Sequence, residues 1–384
     1  MHPRITLSVS NLFFGFSVGI TTYVLLPYLT AFMSDRTAGF VIAAGAALAS
    51  GTFIFWPRII TWVGTQQAAI LLALGQMFAL FALAVGPSGF VAAALIALSI
   101  SLQPFLYYTF DVMLEATVAQ ETVTGRVRTL FLSAWNMAEI GAPLILGAVL
   151  NTGDAYGRVF LAAAAALAPI IIILATRALP THKPPHLIRV KETLHTIFHN
   201  HDLAAVASGH LILGFFYIWA PLYIPLYLHN ILGFPWNTLG WIFAIVTLPF
   251  LLIEYPAGII ADKYLGDKEM MTAGFIIMGA SLAAVSFITK STSLALIVSI
   301  LLLSRVGAAL VEAMTETHFF RSVSDKDVDT IAWYRAIWPL SALIAPLIGS
   351  ALLFTNSFSL LFIVTGFFIV GAGTAAALNV TDFR

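Results

Sequence analysis

The sequence has no cysteine. Disulfide staples, thiolate metal sites and cysteine nucleophiles are therefore excluded. Charge is almost as scarce: Asp, Glu, Lys and Arg make up 9% of the 384 residues, and 18 basic side chains balance 18 acidic ones. A net charge of zero leaves no electrostatic footprint for nucleic acid. The chain also lacks a Gly-rich P-loop and a His-Glu-x-x-His pair, so neither nucleotide hydrolysis nor zinc-dependent hydrolysis is expected, and it reads as a non-enzyme.

What is abundant is apolar surface. Apolar residues are 60% of the chain and the mean hydropathy is +0.95, whereas soluble domains are usually about half apolar. The apolar runs are about twenty residues long, enough to cross a hydrocarbon core of roughly 30 Å. The first carries Asn11, Gly15, Gly19 and Pro27, and no small-residue cleavage site follows it. It reads as a retained spanning helix, not a signal peptide.

Runs bounded by Gly, Pro, Asn and charged clusters predict twelve spans, over roughly 8–30, 38–62, 66–86, 89–118, 128–151, 157–177, 204–229, 236–261, 269–288, 292–320, 329–353 and 358–378. The fold expected is all-α and polytopic. With both termini in the cytoplasm, thirteen of the 18 Lys and Arg residues fall inside: Arg4, Arg58, Arg126, Arg128, Arg177, Lys183, Arg189, Lys191, Lys263, Lys268, Arg321, Lys326 and Arg384. Arg36, Arg158 and Lys290 fall outside, and Arg305 and Arg335 lie within spans. This positive-inside bias supports an even number of spans and a plasma (inner) membrane orientation with cytoplasmic ends.

The two halves repeat. Tyr28-Leu29 and Trp56-Pro57 match Tyr227-Leu228 and Tyr255-Pro256, both at an offset of 199. Leu114-Glu115-Ala116 matches Val311-Glu312-Ala313. Trp135 with Ala142-Pro143-Leu144-Ile145 matches Trp338 with Ala345-Pro346-Leu347-Ile348, and Trp to Pro is eight residues in both copies. The order of the anchors predicts a six-helix half over 1–177, a connector over 178–203 and a second half over 204–384. Parallel repeats imply a pseudo-two-fold axis along the membrane normal, with a site between the halves. The connector's Leu187, Val190, Leu194, Ile197 and Phe198 share one helical face, as in a helix lying on the cytoplasmic surface. His195 and His199 lie there at zinc-ligand spacing, but the rest of a ligand set is missing, so no metal is expected.

The second copy of the loop after span eight reads Gly258-Ile-Ile-Ala-Asp262-Lys263-Tyr-Leu-Gly266-Asp-Lys268. Gly, Asp, a basic residue and a second Gly in this order resemble the signature loop of the major facilitator superfamily, with one residue more between Asp and the second Gly. The first copy, Pro57-Arg58-Ile-Ile-Thr-Trp62-Val-Gly64, lacks the Asp. The resemblance covers essentially the whole chain. It implies two six-helix bundles, secondary transport by alternating access, and a cytoplasmic latch built on Asp262, Lys263, Gly258 and Gly266. The missing first Asp puts a symmetric latch in doubt. Gly141-Ala-Pro143-Leu-Ile-Leu-Gly147 is similar to the Gly-Pro signature of drug–proton antiporters, although Gly and Pro also serve ordinary packing and kinking in membrane helices.

Acids inside spans are Asp111, Glu115, Glu139, Glu254, Glu312 and Glu316. Spans three, six, nine and twelve carry no charge away from their ends. A mid-membrane charge costs at least about 2.5–3.5 kcal/mol and turns inward, so those four spans are expected at the lipid face. Arg305, Glu312 and Glu316 are separated by seven and four residues and fall on one stripe, with His318 off it. Glu115 and Glu312 occupy equivalent repeat positions and read as a shared gating or structural network, with Arg128 and Arg335 as candidate partners. The asymmetric charges are the substrate or coupling candidates: Arg305 for an anionic group, Glu139 or Asp111 for a proton, and Glu316. A carboxylate away from bulk water can exchange a proton near neutrality.

Tyr107, Tyr108, Tyr217 and Trp219 could line a cavity, whereas Trp236 and Trp241 have the look of interfacial anchors. Pro104, Pro221 and Pro225 should kink their spans. The function expected is a proton-coupled secondary transporter of a small solute, acting as a monomer in the lipid bilayer with no cofactor. Its alternatives are a nontransporting receptor or sensor on the same scaffold and, within transport, a drug–proton antiporter or an organic-anion or nutrient symporter.

Overall fold

The computed structural model describes residues 3–53, 55–117, 121–179, 199–323, 328–355 and 357–381, and for 121–129, 254–255, 262–263, 328–329, 331–332 and 335 the backbone alone. The connector helix expected near 186–199 lies outside the described residues, apart from its last residue.

Among the described residues every regular element is helical. The first eight helices are α1 (Pro3–Thr22), α2 (Leu25–Thr30), α3 (Asp35–Phe53), α4 (Trp56–Val63), α5 (Thr65–Ala84), α6 (Gly89–Glu115), α7 (Glu121–Leu150) and α8 (Tyr156–Thr176). Then follow α9 (His201–Pro225) with a π-helical continuation (Leu226–Ile231), α10 (Trp236–Val246), α11 (Leu248–Leu252) and α12 (Glu254–Ile260) with a π-helical turn (Ala261–Leu265). The last four are α13 (Asp267–Ala284), α14 (Leu294–Ser322), α15 (Val328–Leu352) and α16 (Phe358–Leu378).

Ten of these stretches are long and apolar enough to cross a membrane, and α3 with α4, bent by 66°, would make up to 11. This is fewer than the twelve expected. The missing span is the one predicted over 236–261, which is cut into α10, α11 and α12. Pro249 stands in the first turn of α11 and Pro256 inside α12. Neither can donate a backbone hydrogen bond, so the helix breaks beside each. The backbone stays helical in character, with Ile253 N bonded to Pro249 O and Ala257 N to Ile253 O, each at 2.8 Å.

The chain divides into two compact units, Met1–Leu187 with Pro221–Ala244, and Ile188–Ala220 with Ile245–Arg384. In the first unit α1 packs on α7 and α8, and α5 on α6 and α8. In the second, α13 packs on α14 and α16. Glycines set these approaches: a Cβ on Gly307 would lie 2.6 Å from Gly274 O, and one on Gly366 2.5 Å from Gly279 O. Small residues let membrane helices approach backbone to backbone, where van der Waals contact replaces the hydrophobic drive that lipid removes. The spans expected at the lipid face, α5, α8, α13 and α16, show exposed Phe78, Ile172, Ile276 and Phe367.

The internal repeat is visible in contacts. In the first unit Asn11 Nδ2 donates to Phe131 O at 2.9 Å, and a Cβ on Gly15 would stand 2.8 Å from Ala138 Cβ and 3.4 Å from the Trp135 ring. In the second, Tyr334 Oη and His210 Nδ1 are 3.0 Å apart, and a Cβ on Gly214 would meet Ser341 Oγ at 2.6 Å and the Trp338 ring at 3.9 Å. Each residue of the second set lies 199 or 203 positions after its counterpart.

The signature loops repeat as well. Gly64 and Gly266 both take φ +94, a left-handed value that glycine adopts without a Cβ clash. Gly64 N bonds to Ile60 O four residues back, whereas Gly266 N bonds to Ala261 O five residues back. The π turn thus takes up the one extra residue noted between Asp262 and Gly266.

Candidate functional site

α14 runs unbroken over its 29 residues, so Arg305, Glu312 and Glu316 share one side of a continuous helix. Two of them meet neighbouring residues of α9. The Arg305 guanidinium, in a side chain only 9% exposed, lies 4.9 Å over the centre of the Phe216 ring. Tyr217 Oη donates a hydrogen bond to Glu312 Oε2. The Tyr217 ring also lies 5.5 Å from Trp338 and 5.4 Å from Phe250. A cation over an aromatic face and a phenol–carboxylate bond together give the second unit a polar site inside apolar helices. Glu316 is half-buried one turn further along α14.

In the first unit Trp135 is the organising side chain. Its Nε1 donates to Glu139 Oε1 at 2.8 Å, and its ring meets Tyr107 and Phe14 edge to face at 5.6 and 5.7 Å. Glu139 is thereby held one helical turn above Trp135 on α7. Tyr108 turns to another neighbour, Phe53, at 5.3 Å. Asp111 is half-buried, and Glu115 is exposed at the end of α6.

The remaining expected residues divide. Trp219 is fully buried and packs edge to face on Phe362 at 5.5 Å, in the core of its unit. Glu115 and Glu312, equivalent by repeat, have different surroundings: one exposed, the other bonded to Tyr217. A Cβ on Gly258 would meet nothing within 4 Å. The side chains of Arg128, Arg335, Asp262 and Lys263 lie outside the described residues. No group of three or more His, Asp or Glu among the described residues could hold a metal ion.

Two polar clusters escaped the sequence reading. His318, off the α14 stripe, is fully buried with Nδ1 3.0 Å from Asp267 Oδ2 and Nε2 2.9 Å from Asp202 Oδ2. Arg321 Nη1 also reaches Asp267 Oδ2 at 3.2 Å, and Thr381 N donates to Asp202 Oδ1 at 2.7 Å. The available signal was Asp267 itself, the residue after the signature glycine. The second cluster joins α7 to α10: Asn237 N donates to Asn151 O at 2.9 Å, Trp236 Nε1 to Asp154 Oδ1 at 3.2 Å, and His229 Nε2 lies 2.8 Å from that same oxygen.

Helices of this length and apolarity, one of them with Arg305 buried along it, define a multi-pass membrane protein of the helical-bundle class. Residues 206–382 match the sequence model of the Major Facilitator Superfamily. Among solved structures, the chain is similar to a bacterial homologue of the human lysosomal transporter Spinster in an inward-facing and occupied conformation, with a TM-score of 0.73 and 11% identity over 98% of this chain and 93% of that one. It is equally similar to a point mutant of the nucleoside transporter NupG, with a TM-score of 0.73 and 13% identity over 98% of each chain. Nothing matches among curated protein sequences. Residues 206–382 are thus similar in sequence to the Major Facilitator Superfamily, and the whole chain has the fold of those two transporters.

Proposed function

We propose that the protein is a secondary transporter moving a small solute by alternating access between its two halves, 1–177 and 204–384, with a proton as the coupling ion. The observation that carries this reading is the buried Arg305 over Phe216, beside the Tyr217–Glu312 bond, in a chain with the fold of transporters. A charge kept inside an apolar helix has a large insertion cost to justify, and solute or ion passage is its default meaning. Arg305 attracts an anionic group of the solute, Tyr217 and Tyr107 supply aromatic and hydroxyl contacts, and Glu139 or Asp111 carries the proton. Glu316 is a second coupling candidate. Glu312 and Glu115 belong with Arg128, Arg335, Asp262 and Lys263 to the gating network. The protein works as a monomer in the plasma (inner) membrane, with both termini cytoplasmic, and does not catalyse a chemical reaction.

The test is purified protein in liposomes with an imposed pH gradient, screened against classes of solute. Accumulation driven by the gradient, and lost in Glu139→Gln or Asp111→Asn, is the expected result. If every acid variant still concentrates solute, proton coupling is wrong. Binding of solutes without flux across a broad panel would instead identify a receptor on the same scaffold.

A further inference from the structure

One side of the first unit is closed by a seam between the end of α7 and the start of α10. α7 stops at Leu150, and Asn151 follows with φ +54, a left-handed residue that caps the helix and turns its carbonyl toward Asn237 N. Below the cap Gly147 and Gly240 meet backbone to backbone: a Cβ on Gly240 would lie 2.9 Å from Gly147 Cα and 2.5 Å from Pro143 O. Asn237 Nδ2 reaches Asn151 Oδ1 at 3.1 Å, and Asn230 Nδ2 reaches Thr30 Oγ1 of α2 at 3.1 Å.

His229 stands at the rim of this seam, in the π-helical continuation of α9. Its Nδ1 is 2.8 Å from the Phe234 carbonyl and its Nε2 is 2.8 Å from Asp154 Oδ1. Both partners are acceptors. A neutral imidazole owns one N–H, so it can satisfy only one of them and turns a lone pair toward the other. The imidazolium satisfies both. Asp154 Oδ1 also accepts the Trp236 indole N–H, at 3.2 Å. The imidazole lies against Trp236 with ring centres 4.4 Å apart and planes tilted by 34°, and is 14% exposed, whereas Asp154 is 60% exposed and open to protons from solvent. Among the described residues, Tyr156 is the further titratable group in contact with this pair, its hydroxyl 3.5 Å from Asp154 Oδ1.

We propose that His229 and Asp154 form a proton-binding latch: one proton taken up by the pair closes the seam between residues 151–156 and 229–240, and its loss loosens it. The pair includes neither Arg305 nor Glu139, and the proposal holds whether or not the chain carries a solute. Histidine is the side chain that changes charge between about pH 5 and 8. The sign follows from the proton count. The closed seam binds the extra proton, so closure is favoured at low pH and lost as pH rises, by at most about tenfold in the closed-to-open ratio per pH unit for one proton.

The absence of cysteine makes the test direct. Nitroxides placed on Thr152→Cys and Ile231→Cys, both exposed positions, report the width of the seam by pulsed electron resonance in lipid nanodiscs. The short-distance population should grow as pH is lowered from 8.5 to 5.5. His229→Gln and Asp154→Asn should each flatten that dependence. Distances in the otherwise unaltered chain that ignore pH over this range would overturn the proposal, as would either variant keeping the full pH dependence.

Discussion

Tyr217 of α9 and Glu312 of α14, 95 residues apart in the chain, are joined by a hydrogen bond from phenol to carboxylate. The bond sets the direction in which Glu312 points, because the same tyrosine ring is held between Trp338 and Phe250. Tyr217→Phe keeps the ring and removes the donor. A hydrogen bond to a charged group contributes about 1.5–3 kcal/mol. The variant should therefore melt several degrees lower in detergent and transport more slowly. Unchanged melting and unchanged initial rates would show that the bond does neither job.

Glu139 can be separated from its structural role. Glu139→Gln retains a carbonyl oxygen to accept the Trp135 N–H, so stability should change by less than about 0.5 kcal/mol. Gradient-driven accumulation should nevertheless collapse, while exchange of solute without a net gradient persists. Loss of both activities together would return Glu139 to a packing role.

His318 makes a different prediction. Replacing it with Leu removes the group that both Asp267, 3% exposed, and Asp202 contact in the second unit. Breaking a buried ionic cluster from one side costs up to about 3–5 kcal/mol, and less here because Arg321 still pairs with Asp267. His318→Leu should expose the chain to proteolysis at temperatures the parent resists, and Asp267→Asn in the same chain should recover part of the loss. A single variant as stable as the parent would refute the cluster's importance.

Gly240 tests the seam from the packing side. A methyl at this position would face backbone atoms of Pro143 and Gly147 that have no flexible end to move aside. Gly240→Ala should cost about 1–3 kcal/mol of the closed arrangement. In the nitroxide measurement it should widen the seam at every pH, without altering the slope of the pH dependence. A parent-like short-distance population would rule this out.

Most of the fold was legible because its signals are local. Apolar runs of span length became helices, and the aromatic–proline pairs Trp56-Pro57 and Tyr255-Pro256 marked equivalent places in both halves. The same pairs did not announce that the helices would break there, since proline in a membrane helix yields a kink, a break or neither according to what neighbouring helices supply. The α14 stripe was readable from helical periodicity. That Arg305 and Glu312 meet Phe216 and Tyr217 was not, because it depends on how α9 packs against α14. His318 was set aside because it leaves the stripe, and its two aspartates come from distant helix ends. The seam was hidden for a plainer reason: Asp154 sits in a short connection and His229 in the π-helical end of a span, and helical periodicity does not bring the two together.

The matched glycine contacts at Gly15 and Gly214 have a consequence for ancestry. After duplication, the helix crossing beside Trp135 and the one beside Trp338 were both held to the same close approach. The positions around them diverged: Glu139 in one copy has Ala342 as its repeat equivalent in the other, and Arg305 has Tyr108. Inheritance here kept the joints and released the chemistry, so each half preserves a record of the shape from which the other departed.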